Sequence, residues 1–198
     1  EGKLRHREAA AAIGLSEGAA IALHVGAEGE LSAIRLEAAE APLLIAALGQ
    51  CGPLMALTRN EAAVHERTGV YLNASEKGHV GLVLGEDIDL RIFYRHWHEA
   101  FLVRERTREG DERLSLQFFD RQGQAVHKIF ERPRTDRARL LEVAGFHHAE
   151  DQTPRWRAAP TEPSDGERDD DEAVPTADAG DLDEFLRAWS RSEEHTSE

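Results

Sequence analysis

The residues best suited to chemistry lie in one short run, Ile88-Asp-Leu-Arg-Ile-Phe-Tyr-Arg-His-Trp97. Read as a strand with a side-chain period of two, it sets Leu90, Ile92 and Tyr94 on one face and Arg91, Phe93, Arg95 and Trp97 on the other. The first face is that of a core. The second alternates cations with flat rings: rings offer stacking area, and arginine offers paired donors to a carboxylate. That combination suits a planar, anionic, apolar ligand, with Arg91 and Phe93 as its candidate contacts. The same pattern also fits a solvent-facing strand whose arginines lay their stems along it. A second candidate is His65, in Val64-His-Glu-Arg67, because neutral imidazole is a common axial donor to iron. A lone histidine near a turn also serves as a hydrogen-bonded structural residue. His96 and His98 would share a strand face, but no third metal ligand accompanies them.

Several other chemistries are excluded by spacing. His65-Glu-Arg-Thr-Gly69 begins like the helical zinc-protease motif, but glycine stands where the second histidine is required. No nucleophile elbow, phosphate-binding glycine loop or paired-cysteine site occurs in the sequence. His147 and His148 are neighbours on an expected helix, so their rings point in different directions, and both read as surface residues. The single cysteine, Cys51, cannot form an intrachain disulfide, which fits a reducing compartment; it reads as a small, semi-buried apolar residue.

The elements that must position these residues follow from periodicity. Residues 4–13 are alanine-rich and helix-favouring, Gly14 is a stop, and Ser16-Glu17 starts afresh as an N-cap. This opening resembles a helix-turn-helix, yet its second helix carries no Arg or Lys, so packing is the better reading. Residues 37–49 form a further helix, with Leu43, Leu44, Ala47 and Leu48 on one face and Gly49 at its end. From Gly52 the period shortens. Apolar or alternating runs recur at 53–58, 62–67, 79–84, 88–94, 99–104, 113–119 and 124–131, separated by Gly- and Asp-rich turns, which predicts an antiparallel meander. Residues 134–148, after Pro133, close it as a helix. From Gln152 to Gly180 the composition turns to Pro, Asp, Glu, Thr and Ala, that of a solvated linker, and an amphipathic helix begins at Asp181.

Charge follows the same division. The net charge is −14, but residues 161–198 hold 14 of the 38 acids and 3 of the 24 bases, a net of −11. The first 160 residues therefore carry 24 acids and 21 bases, a net of −3. A duplex-binding domain would show a basic surplus, so no nucleic-acid partner is expected. No run of transmembrane length and no signal-peptide pattern is present, so membrane insertion is not expected. The chain opens on Glu1 rather than Met, and residues 191–198 resemble the translation of a sequencing-adapter oligonucleotide. Both ends are therefore expected to be cut.

Taken in order, Met55-Ala-Leu-Thr-Arg-Asn-Glu61, Val64-His-Glu-Arg67, Gly78-His-Val-Gly-Leu-Val83, Asp87-Ile-Asp-Leu-Arg-Ile-Phe93, Trp97 with Phe101, Leu116-Gln-Phe-Phe-Asp120, Gly123 and Ala125-Val-His-Lys-Ile129 form a series of blocks. Over roughly residues 3–150 this series resembles the bacterial haemin-degrading and haemin-transport proteins, the HemS/ChuX-type cytoplasmic haem-utilisation factors. The resemblance implies an α+β fold, a large antiparallel sheet flanked by helices, as one half of a tandem repeat. It divides the chain into a haem-utilisation domain at 1–150, an acidic linker at 151–180, the start of a second repeat at 181–190 and the adapter-like end. It implies haem as ligand or substrate, with Arg91 and Phe93 approaching it from the side opposite the axial histidine. That histidine belongs to the second half, and His65 occupies its first-half counterpart. The function implied is cytoplasmic haem handling for iron acquisition. It would proceed by transfer to a haem oxygenase or from an importer, or by oxidative opening of the ring. A reading from another class is a partner-docking module with no haem site of its own.

Overall fold

A computed structural model describes residues 6–59, 63–106 and 110–157. Its centre is β8, Glu112–Phe119, whose last six residues are all buried. Along it, Leu114, Leu116 and Phe118 face one core and Phe119 the other, while the Gln117 amide donates to the Ser115 hydroxyl between them at 3.0 Å. β7 (Glu99–Arg106) and β9 (Ala125–Glu131) flank it in antiparallel register. β2 (Leu54–Arg59) then adds to β9, and β3 (Val64–Gly69) to β2, while β1 (Leu31–Leu36) adds to β7. The result is a six-stranded sheet in the order β1-β7-β8-β9-β2-β3. β4 (Ser75–Lys77), β5 (Val80–Leu84) and β6 (Asp89–Phe93) form a separate three-stranded sheet.

The expected helix-flanked antiparallel sheet is therefore present, and each of the seven strand runs contains a strand. The simple meander is corrected. The chain between β3 and β7 leaves the main sheet to build the second one, and β2 returns to pair with β9. Close packing enforces the departure: a Cβ on Gly69, at the end of β3, would lie 2.5 Å from the Asp87 side chain in the turn before β6. β1 and β4 were not anticipated.

Each face of the main sheet carries its own core. On one face α3 (Ala41–Ala47), α4 (Arg137–Phe146) and the small sheet cover Leu54, Ala56, Leu114, Leu116, Phe118 and Ile129. On the other, α1 (His6–Ala12) and α2 (Glu17–Ala22) cover Phe101, Val103 and Phe119. Full burial of a Leu or Phe side chain stabilises by about 1.5–3 kcal/mol, so these two layers fix the sheet. The alanines of α1 and α2 allow close approach, in keeping with packing rather than DNA reading. Gly14 has the left-handed φ of 78° that ends α1, and the Ser16 hydroxyl accepts from Ala19 N at 3.2 Å to cap α2. Asp136 caps α4 by accepting from Arg139 N at 3.0 Å, so that helix starts at Arg137 rather than directly after Pro133. The helix expected over 37–49 is α3 with a 3-10 turn at each end.

Of the linker expected at 151–180, only 151–157 is described, and these residues pack against the sheet. The Gln152 amide accepts from Arg35 N at 2.9 Å and donates to Arg35 O at 2.9 Å. Fully buried Arg35 pairs with fully buried Glu99 at 2.5 Å and also donates to the Thr153 carbonyl at 3.0 Å. Arg157 reaches the same carboxylate at 2.9 Å, and Trp156 is buried against Phe119 and Gly18. The helix start expected at 181–190 and the adapter-like 191–198 lie outside the described residues.

Candidate functional site

One row of the main sheet sets up the site. Antiparallel partners share a face, and the pairings His65↔Thr58, Thr58↔His127, His127↔Phe118 and Phe118↔Ala100 run from the edge strand β3 to β7. His65 and Thr58 are exposed, whereas His127 is 4% and Phe118 0% exposed. The small sheet approaches where this row passes from exposed to covered. Between them lies a cavity of about 340 Å³, whose lining includes Thr58, His127, Trp97, Arg91, Phe93, His96 and Asp120.

Arg91 and Phe93 stand side by side on the outward face of β6, alternating with buried Ile92. Phe93 is 46% exposed, an aromatic ring at the mouth of a cavity rather than in a core. Arg91 makes no hydrogen bond or ion pair with the described residues, in contrast to the arginines tied up around Glu99 and Glu112. An unpaired guanidinium beside flat rings is what an anionic aromatic ligand requires.

The strand reading of 88–97 needs correction beyond Phe93. Residues Tyr94–His96 form a 3-10 turn because the Tyr94 ring lies over Gly81 of β5, where any Cβ would approach it to 2.6 Å. The turn carries Trp97 back onto the main sheet. Its ring packs on Phe118 at 4.2 Å and stacks with His127 at 5.8 Å, between centroids. Trp97 thus lines the cavity as its floor, not as a continuation of the Arg91–Phe93 row. Arg95 is exposed and donates to the His96 ring at 3.1 Å. His96 and His98 do not share a strand, and His98 is hydrogen-bonded to the Arg157 carbonyl at 2.8 Å. No group of three potential metal ligands occurs among the described residues. His147, expected at the surface, is buried and bonded to Glu40 at 2.8 Å.

His127 is the residue that pattern reading missed. Burial pushes its imidazole down to about 4, so it is neutral at physiological pH. Both ring nitrogens are engaged: Nδ1 with the Thr58 hydroxyl at 3.1 Å, and Nε2 with the Tyr71 hydroxyl at 2.9 Å. Tyr71 is buried and its phenol is held well above the ordinary value, hence protonated. The signal available in sequence was a histidine at an inward position of β9, between Ala125 and Ile129. His65 lies on the same face, at the exposed edge of the row, one strand away from the cavity lining.

Across residues 14–144 the chain matches the sequence model of the haemin-degrading HemS.ChuX domain. The chain belongs to this family. Among HemS.ChuX relatives it is 42% identical over 131 residues to the hemin transport protein HmuS of Yersinia pestis, covering 66% of this chain and 36% of that protein. Its fold is similar to that of holo-PhuS, a heme-binding protein from Pseudomonas aeruginosa, with a TM-score of 0.71, 41% identity, and coverage of 81% of this chain and 46% of the other. It is also similar to ChuS, an E. coli heme oxygenase, with a TM-score of 0.59, 34% identity, and coverage of 75% and 41%. The chain thus spans less than half the length of these HemS.ChuX relatives. No helix among the described residues is long and apolar enough to cross a membrane.

Proposed function

We propose that this chain binds haem in the cavity between β6 and the main sheet, as part of haem handling for iron acquisition. The observation that carries this is Arg91, without an ion-pair partner among the described residues, beside exposed Phe93 over a Trp97 floor. Rings supply stacking surface, and the guanidinium supplies charge-assisted donors to a propionate or another anionic group of the ligand. A cavity of about 340 Å³ is at the low end for sites that bury a drug-sized molecule, so it suits one edge of a macrocycle rather than the whole. His65, exposed on the same sheet face one strand from the lining, is the candidate donor to iron. When bound, haem supplies the iron and the macrocycle, and the protein supplies position and electrostatics. Transport and oxygenase functions both occur among the relatives' descriptions, and the geometry described here accounts for binding. A haem importer or a haem oxygenase would be the partner in transfer. A single cysteine, which can form no intrachain disulfide, fits the reducing cytoplasm.

The test is a haemin titration of the chain followed by Soret absorbance, with Arg91→Ala, Phe93→Ala and His65→Ala alongside. Saturable, stoichiometric binding is expected, weakened roughly tenfold by Arg91→Ala, the order of one charge-assisted hydrogen bond. A changed Soret line shape in His65→Ala would identify the iron ligand. Unsaturating binding indifferent to all three substitutions would refute the proposal and leave the docking reading in its place.

A further inference from the structure

The Tyr71–His127–Thr58 chain has only one direction that satisfies every buried group. Tyr71 is fully enclosed, and its hydroxyl meets no described partner except His127 Nε2 at 2.9 Å. A buried O–H without an acceptor costs about 1–3 kcal/mol, so the phenol donates to Nε2. A neutral imidazole that accepts at Nε2 carries its proton on Nδ1. Nδ1 therefore donates to the Thr58 oxygen at 3.1 Å. In the opposite direction Tyr71 would keep a buried, unaccepted proton. Thr58, having accepted, has its own O–H to give, and its side chain lies on the cavity wall.

We propose that Thr58 is a ligand-binding residue that donates its hydroxyl proton to a carboxylate of the bound molecule, with His127 and Tyr71 as positioning residues that fix the direction of donation. This rests on the haem reading above, since haem is a flat molecule that carries two carboxylates. Arg91, lining the same cavity without an ion-pair partner among the described residues, supplies the charge that a hydroxyl lacks. The acid in the lining, Asp120, accepts from Gln124 N at 2.8 Å within the β8–β9 turn.

The experiment compares haemin with its dimethyl ester on the wild-type chain, Thr58→Val, Thr58→Ser and Tyr71→Phe, with nitrogen-resolved NMR of the histidine rings in the free protein. Valine keeps the shape and β-branching that the strand favours. Wild type is expected to prefer haemin to the ester. Thr58→Val is expected to weaken haemin about tenfold while leaving the ester unchanged, and Thr58→Ser to restore the preference. Tyr71→Phe frees the imidazole to carry its proton on either nitrogen, so it weakens haemin by less than Thr58→Val. In free wild type, His127 is expected as the Nδ1-protonated tautomer. If Thr58→Val retains the wild-type haemin-to-ester ratio, or if His127 is protonated at Nε2, this inference falls while haem binding stands. If wild type binds neither probe saturably, both fall.

Discussion

Lowering the pH should destabilise this protein through one identifiable group. His127 is buried, and desolvation, the dominant cause, moves its imidazole from the ordinary 6.5 down to about 4. Between those values the unfolded chain takes up a proton that the folded chain refuses. The stability tied to neutral His127 is therefore fully present above the unfolded value and is lost as the pH falls through the folded one. A gap of that size corresponds to about 3 kcal/mol in full, of which about 2 kcal/mol is gone by about pH 5. Asp151, held low by its bonds to Thr153 and Arg155, acts below this window. The assay is urea unfolding at about pH 7.5 and about pH 5, followed by tryptophan fluorescence, because Trp97 stacks on the His127 ring. His127→Gln is the reference, since its amide can accept from Tyr71 and donate to Thr58 without titrating. Every other titrating group is common to both proteins, so the difference between them isolates His127. Equal losses in wild type and His127→Gln would refute the assignment of a neutral, proton-refusing imidazole.

Two further substitutions test the frame around the site. Gly18→Ala would place a methyl 2.6 Å from Trp156 Cζ3 and 3.0 Å from Phe119 Cδ1, so overpacking of about 1–3 kcal/mol should outweigh the helix-propensity gain of about 1 kcal/mol or less; thermal denaturation is expected to show a lower midpoint. Arg35→Met removes one of the two cations on buried Glu99 and the donor to the Thr153 carbonyl. Because Arg157 remains, a loss of about 3 kcal/mol is expected, the low end for breaking a buried pair, with faster tryptic cleavage at Arg155 as the check.

What the sequence made legible was whatever obeyed a period. The covered run of β8 and the alternation of Arg91 and Phe93 around Ile92 were visible because one side of each strand is apolar. The Gly14 stop and the Ser16 cap were visible because their chemistry is local. β1 was hidden by Arg35, a charged residue at a fully buried position whose partners, Glu99 and residues 152–155, are distant in sequence. β4 was hidden because Ser75, Glu76 and Lys77 are all exposed and show no apolar face. Trp97 was placed on the wrong row because alternation was carried through a turn that only the fit of Tyr94 over Gly81 requires. The role of His127 depends on Thr58 and Tyr71, each tens of residues away in the chain. No local pattern contains that information.

The two candidate donors, Thr58 and Arg91, belong to different sheets, and no strand ladder joins those sheets. Their separation must be set by side chains at the joint. The exposed Arg67–Asp87 pair, at 2.9 Å, spans that joint from β3 but contributes little, since both groups are more than half exposed. Trp97 makes the dry contact: it meets Phe118 and His127 on the main sheet, and Tyr94, seated on Gly81, at 5.1 Å edge to face. Such ring pairs add about 0.5–1.5 kcal/mol each beyond their burial, and they are directional. The indole therefore has two tasks, as the floor against which a flat ligand lies and as the spacer holding β6 over the row that carries Thr58. The neutrality of His127 serves the second task as well as the first. A protonated imidazole there would carry a charge into a fully buried position, which desolvation disfavours.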